Sequence, residues 1–328
     1  MEGDPVRVGL YSITYLGVWY RGAALTLEDL IDRARQYGYE GIEIDGKRPH
    51  GNPLDLSMER CRELRRRAED AGVEIYAVAA NNDFTSPIPE HRESQLVYTR
   101  ELIRMTAALG APVLRVFAAW PGVTLSPNGG RYDVARKIWS VTHEALTREE
   151  SWDGCRRALV EATGWAGDHG VTLALQNHPP LIETGDDMLR MIHEVDSPFL
   201  KACFDAPLAK QQQVADMRRA VREVGSLQVL SHFGGEYDRQ PDGSVRGYVR
   251  QSDGSLTPEN FYGDFVRGLM DIDYNGYIGY ELCHPLPTVD GQTVGIDFAD
   301  TNARLAAEFM RGVIAEVQQT AAVRGAGA

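Results

Sequence analysis

A short apolar run followed by a helical pattern recurs eight times along the 328 residues of this chain. The runs are mostly continuous rather than alternating, which is typical of strands buried on both faces of a parallel sheet. Eight β-then-α units predict a (β/α)8 TIM barrel, formed by a single domain over residues 1–328. A doubly wound open sheet is the alternative, but it does not need eight units. The eight runs lie at residues 6–13, 41–45, 73–81, 113–120, 171–177, 200–205, 227–233 and 277–282.

Capping signals place several of the helices between these runs. Thr26, with Asp29 three residues later, predicts a helix start, and Gly38 predicts the end of that helix. Thr184 with Asp187 predicts a second start. Thr257, followed by a proline in the first turn, predicts a third.

Two segments are longer than ordinary loops, namely residues 121–151 after the fourth run and 234–256 after the seventh. We expect a helix near 134–145 in the first segment and a β-hairpin near 241–255 in the second. In a barrel, loops that follow strands lie on the face that carries the active site. Loops of this length usually serve as lids or interface elements.

The net charge of −13 argues against binding to nucleic acid, because phosphate contacts need clusters of Lys and Arg. No apolar run reaches the roughly 18 residues of a membrane span. No GxGxxG motif follows the first run, which argues against the usual dinucleotide-binding site. The N-terminus has no apolar signal core, so we expect a cytoplasmic protein. The four cysteines are irregularly spaced and are expected to be reduced.

Polar side chains end the last four strands of the predicted barrel. Gln176, Asp205, His232 and Glu281 come from successive strands at similar depth, so they should surround one point. Burying two carboxylates without a cation is costly, which predicts a divalent metal held by these four side chains. Oxygen-rich ligation with one histidine favours Mn²⁺, Mg²⁺ or Co²⁺ over a structural zinc.

With these residues the chain resembles the xylose-isomerase-like TIM barrels, a superfamily of sugar phosphate isomerases and epimerases. The resemblance implies a Glu-Asp-His-Glu metal site on strands 5 to 8. Here LALQNH, ACFDAP, LSHFGG and GYELCH supply the matching residues, with Gln176 in place of the first glutamate. A glutamine can hold a metal but cannot take a proton. A strict two-base epimerase is therefore disfavoured unless His178, Glu43 or another group replaces the lost base.

A narrower resemblance concerns the stretches GIEIDGKRPHG, HFGGEYDR and GYIGYELCHPLP. They are similar to the α subunit of bacterial C-glycoside deglycosidases. This likeness implies a lyase that acts on a 3-oxo-C-glucoside, with bound Mn²⁺ and a small β subunit in a larger oligomer. The alternatives are a metal-dependent sugar isomerase or ketose epimerase, and a catalytically weakened barrel that binds a sugar or a partner.

The hypothesis for catalysis is removal of the proton next to a sugar ketone, followed in the lyase by β-elimination of the aglycone. Glu281 is the first candidate base, and His178 and His143 are further acid/base candidates. Polar and aromatic residues near the strand ends are candidates for substrate binding; they are Glu43, His50, Asn81, Trp120, Lys210 and Arg239.

Overall fold

Eight parallel strands form a closed barrel in the computed structural model, which describes residues 6–126, 129–251 and 253–325. Each strand pairs with its neighbours in chain order, and the eighth closes onto the first with Arg7 opposite Tyr277. The predicted (β/α)8 barrel is therefore confirmed. The strands are β1 Arg7–Tyr11, β2 Gly41–Asp45, β3 Glu74–Ala79, β4 Val113–Val116, β5 Thr172–Gln176, β6 Leu200–Cys203, β7 Gln228–Gly234 and β8 Tyr277–Glu281.

Ten α-helices accompany the strands in the part of the chain that the structure describes. A 3-10 turn, Ser12–Tyr15, follows β1, and a second, Gly225–Leu227, precedes β7. The helices are α1 Leu27–Tyr37, α2 Met58–Ala71, α3 Pro89–Leu109, α4 Tyr132–His143, α5 Arg148–His169, α6 Gly185–Val195, α7 Ala206–Gln211, α8 Met217–Val224, α9 Tyr262–Asp271 and α10 Ile296–Gly325.

Two of the three predicted helix starts are confirmed. The Thr26 hydroxyl accepts a hydrogen bond from the Asp29 backbone N–H, and Gly38 ends α1 in the left-handed conformation. Thr184 and Asp187 form a reciprocal capping box at the start of α6. The third prediction is wrong, because Thr257 lies in a short strand and α9 begins only at Tyr262.

Both long loops carry structure of their own. After β4, strands Thr124–Ser126 and Gly129–Arg131 form a hairpin that leads into α4, which confirms the predicted helix. After β7, strands Glu236–Arg239, Val245–Arg250 and Leu256–Pro258 form an antiparallel sheet, which confirms and extends the predicted hairpin. A further two-stranded ladder, Thr288–Val289 with Gln292–Thr293, precedes α10. Residues 127, 128 and 252 of these loops lie outside the described residues.

An aromatic pair fills the lower end of the barrel. Tyr76 stacks on Tyr277 with 4.1 Å between ring centroids. Gly9 makes room for the Tyr76 ring, since a Cβ there would lie 2.3 Å from Tyr76 Cε1. Gly41 and Gly279 line the same ring from two other strands. The barrel interior is thus packed at this end, and a cavity opens at the opposite end.

None of the four cysteines is in a disulfide. Among the described helices, none combines the length and apolar character needed to cross a bilayer.

Candidate active site

A cavity of about 370 Å³ opens at the carboxyl ends of the strands. Gln176 and Glu281 line it from the ends of β5 and β8. Tyr11 and Arg115 line it from β1 and β4, and the segments that follow the strands add further residues, including Trp19 after β1 and Lys210 in α7. This is the face of a (β/α)8 barrel on which active sites are built.

A chain of buried ionisable groups lies at the barrel floor. His232 Nε2 lies 2.5 Å from Glu43 Oε2, and His232 Nδ1 lies 3.0 Å from Asp205 Oδ2. Burial alone would lower the pKa of His232, but the two carboxylates raise it well above its ordinary value. Burial alone would raise the pKa of Asp205, but His232 holds it below the usual range. The two carboxylates therefore favour the protonated form of this imidazole.

Asp205 and His232 also belong to a group that could hold a metal ion. Cys203 Sγ lies 3.4 Å from Asp205 Oδ1 and 3.7 Å from His232 Nδ1. The three ligand atoms lie within 4.8 Å of one another. Carboxylate and imidazole donors suit a divalent cation, which would take the position that the proton occupies on His232.

Gln176 is oriented by a neighbour on β4. Its Oε1 atom accepts a hydrogen bond of 2.8 Å from Arg115 Nη1, and its Nε2 group donates to Asp205. Arg115 has only donors, so the amide oxygen must be the end that faces it. An amide nitrogen offers no lone pair to a metal. The oxygen predicted as a ligand therefore does not face Asp205 in this arrangement.

Arg115 is a polar residue of β4 to which the sequence prediction assigned no role in the site. Its Nε donates to Glu43 Oε1 over 2.9 Å, and both side chains are buried. Glu43 thus lies below the cavity, held between Arg115 and His232, and is not among the residues that line it. The signal was a lone arginine inside the apolar strand VLRV.

Glu281 is the carboxylate that faces the cavity. Burial raises its pKa, and Asp205 adds to the rise although the His232 charge opposes it. It forms no ion pair within the described residues. A cation on Asp205 and His232 would also relieve the charge of Glu281, so the donor set fits a divalent metal.

His178 lies in an aromatic corner of the cavity. Its ring is 5.1 Å from Trp120 and 5.0 Å from Phe117, both in edge-on contact. Its Nδ1 lies 2.5 Å from the Pro179 carbonyl oxygen. Burial lowers the pKa of His178 to about 4, so the ring is neutral at pH 7.

The structure brings some of the predicted substrate-binding residues together. Asn81, Trp120 and Lys210 all line the cavity. Asn81 Nδ2 donates to Asp45 Oδ1 over 2.7 Å. Lys47, which also lines the cavity, lies 3.4 Å from Asp45 Oδ2.

Three predicted residues lie elsewhere. His143 is packed between α4 and the loop after β3, with its ring nitrogens 2.8 Å from Trp139 O and 3.1 Å from Thr85 Oγ1. His50 is buried, and its Nε2 lies 3.0 Å from Leu25 O. Arg239 is exposed and forms an ion pair with Glu308 of α10. None of the three lines the cavity, since each is held by a structural contact.

The chain belongs to the family described as Xylose isomerase-like TIM barrel, which it matches over residues 31–312. No match is found among curated proteins.

Solved structures of sugar epimerases share the fold. A D-psicose 3-epimerase studied with D-fructose is 15% identical, with a TM-score of 0.68 over 94% of this chain and 99% of that one. The D-psicose 3-epimerase of Clostridium cellulolyticum H10, studied with D-tagatose, is 17% identical, with the same TM-score and coverage. The 3-keto-D-glucoside 4-epimerase of E. coli is 16% identical, with a TM-score of 0.63 over 96% and 99%. At these identities the likeness concerns the fold alone.

Proposed function

We propose that this protein is a metal-dependent epimerase or isomerase of a keto sugar. The observation that carries the proposal is the position of Glu281, a carboxylate with a raised pKa that lines the cavity close to the buried Asp205 and His232. A base with a pKa nearer to neutrality is suited to removing a weakly acidic proton next to a ketone. Asp205, His232 and Glu281 would hold the cation, with Mn²⁺ as the proposed ion.

The chain's own residues would divide the remaining work. Glu281 takes the proton from the carbon next to the ketone. A divalent cation, when bound, supplies Lewis-acid stabilisation of the charge that develops on the ketone oxygen. Lys210 and Asn81 orient the hydroxyl groups, and the Trp120 ring packs against a face of the sugar.

The names of the structural neighbours agree with this chemistry. A psicose 3-epimerase and a 3-keto-glucoside 4-epimerase both invert a carbon that adjoins a ketone. We infer that this chain acts on the same class of substrate, an open ketose or a 3-oxo-glucoside.

Proton exchange in D₂O tests the proposal directly. The Mn²⁺-loaded protein is incubated with D-fructose, D-psicose or a 3-oxo-glucoside, and the products are examined by NMR after the metal is removed. The expected result is deuterium at the carbon next to the ketone, together with the inverted sugar. A chelated sample serves as the control. If neither substrate class gains deuterium, the proposal is wrong.

Gln176 favours a second candidate, a lyase that eliminates a group from a 3-oxo-C-glucoside. With glutamine at this position, the two-carboxylate arrangement of an epimerase is missing, whereas elimination needs one base and a departing group. The likeness of GYELCHPLP and neighbouring stretches to deglycosidase α subunits supports the same class. If the protein is such a lyase, we expect it to act with a small β subunit in a larger oligomer.

Release of the aglycone separates the two candidates. A 3-oxo-C-glucoside is incubated with the protein, alone and with a small subunit encoded beside it. Free aglycone supports the lyase. Interconversion of the ketoses without any release supports the epimerase.

A further inference from the structure

We propose that His284 is the second acid/base group of this cavity and that Glu236 holds it in position. The inference rests on the proposed proton transfer next to a sugar ketone and assigns a residue to its second half. His284 lies three residues beyond Glu281, in the loop after β8. Glu236 comes from the neighbouring segment of the barrel, in the sheet after β7.

The contact between the two residues fixes the tautomer of the imidazole. His284 Nε2 lies 3.1 Å from Glu236 Oε1. An ionised carboxylate only accepts hydrogen bonds, so Nε2 carries the hydrogen of the neutral ring. Nδ1 then has the lone pair, and it has no protein partner among the described residues. His284 lines the cavity and its side chain is 25% exposed, so substrate and water can both reach it.

Glu236 is itself held by an arginine. Arg250 Nη2 donates to Glu236 Oε2 over 2.7 Å, and Arg250 Nε donates to Oε1. Burial alone would raise the pKa of Glu236, but His284 and Arg250 bring it below its ordinary value. A carboxylate kept ionised in this way accepts the Nε2–H of His284 and holds the ring in this orientation. The long loop after β7 therefore contributes to the proposed site, because it supplies both Glu236 and Arg250.

The two polar side chains at the end of β5 that line the cavity are less free than His284 to act as an acid or a base. Gln176 has no basicity, and its amide is bonded to Arg115 and Asp205. The Nδ1 atom of His178 is bonded to the Pro179 carbonyl, and its ring is packed against Trp120. His284 therefore replaces the acid/base group that a glutamate at position 176 would have provided.

The step conserves protons and electrons. Glu281 takes the proton from the carbon next to the ketone, and the electron pair of that C–H bond moves onto the ketone oxygen. The imidazolium of His284 then gives its Nδ1 proton to the carbon, which completes the inverted sugar. Glu281 loses its proton to water and His284 takes one from water, so the new C–H hydrogen comes from the solvent.

The test compares His284→Gln, Glu236→Gln and the control His193→Gln, in which an exposed histidine of α6 is changed. Each Mn²⁺-loaded protein is incubated with the active keto sugar in D₂O. In His284→Gln we expect inversion to fall at least about 100-fold, while deuterium exchange into the recovered substrate stays within about threefold of the parent. The control should match the parent in both rates.

A second readout does not depend on activity. Long-range ¹H–¹⁵N NMR of the Mg²⁺-loaded protein should give the Nε2–H tautomer for His284 in the parent, and Glu236→Gln should lose that preference. An Nδ1–H tautomer in the parent, or inversion within about threefold of the parent in His284→Gln, would overturn the proposal. If the parent exchanges no proton with any keto sugar, the proposed function fails and the role of His284 falls with it, whatever the tautomer.

Discussion

Arg115 Nη1 donates a hydrogen bond to Gln176 Oε1 over 2.8 Å, and this contact decides which end of the amide faces the barrel floor. The Nε2 group is turned toward Asp205, to which it donates. At a position where the resemblance implies a carboxylate, this chain therefore presents a hydrogen-bond donor. The amide adds neither charge nor a lone pair to a cation site in this orientation.

We expect Gln176→Glu to bind Mn²⁺ about tenfold more tightly than the parent, because a further carboxylate raises the charge of the ligand set. Arg115 would pair with one oxygen of the new side chain and leave the other for the cation. Titration of the apoprotein with Mn²⁺, followed by the EPR signal of the free ion, measures the dissociation constant.

Gln251→Glu is the matched control for this change. Gln251 is exposed in the loop after β7. Its replacement by glutamate therefore adds the same charge far from the barrel floor. Its dissociation constant should equal that of the parent. Equal affinities for Gln176→Glu and the parent would contradict the argument that the amide oxygen is withdrawn from the metal.

The position of the floor residues at the carboxyl ends of the strands could be predicted from sequence. Asp205 and His232 end or follow continuous apolar runs, and a parallel barrel brings such positions to one end. The pairing of Arg115 with Glu43 and Gln176 could not be predicted from sequence. It joins three strands across the barrel interior and depends on the length and rotamer of one arginine.

Residues in long loops were harder to place. His143 lies at the end of α4, a helix that the sequence pattern predicts. The side of α4 that faces the barrel depends on tertiary packing, which the pattern does not contain. The dyad of His284 and Glu236 joins residues 48 positions apart. Only the fold of the sheet after β7 brings them together, and no local pattern encodes it.

Glu281→Gln should reduce turnover by about 100- to 10,000-fold, because an amide cannot accept the proton from the substrate. Asp205 and His232 remain, so Mn²⁺ binding should weaken without being lost. Initial rates and Mn²⁺ titration of the same preparation give both numbers. Glu308→Gln, an exposed change on α10, is the control. A nearly normal rate would rule out Glu281 as the base.

Added Mn²⁺ should stabilise the folded protein against heat. At a free concentration about 100 times the dissociation constant, a ligand that binds only the native state adds about 2.7 kcal/mol to the free energy of unfolding. Thermal unfolding with and without the metal measures the shift. Asp205→Asn should lose most of it, since the variant lacks a buried carboxylate of the proposed site. An equal shift in Asp205→Asn would mean that the ion binds elsewhere.

His143→Ala should affect stability and leave catalysis intact. Both ring nitrogens are bonded, to Trp139 O and Thr85 Oγ1, and the ring stacks on Trp139 at 3.9 Å between centroids. Losing these contacts should lower the free energy of unfolding by about 1–3 kcal/mol. We expect kcat/KM to stay within about threefold of the parent. A 100-fold loss of kcat/KM in a protein of unchanged stability would restore His143 as a catalytic candidate.

Trp19 carries a donor that the free protein does not use. Its side chain is 2% exposed and lines the cavity, and its Nε1–H has no hydrogen-bond partner among the described residues. A buried donor without a partner is costly, and a substrate hydroxyl in the cavity would satisfy it.

Trp19→Phe should therefore raise KM by about five- to tenfold, since the lost hydrogen bond is made only to the substrate. Its free energy of unfolding should change by less than about 1.5 kcal/mol, because no bond within the protein is lost. Trp139→Phe is the matched control, since its Nε1–H donates to Asp83 over 2.9 Å and does not face the cavity. That change should lower stability and leave KM unaltered. If KM rose only in Trp139→Phe, the assignment of the substrate contact to Trp19 would be wrong.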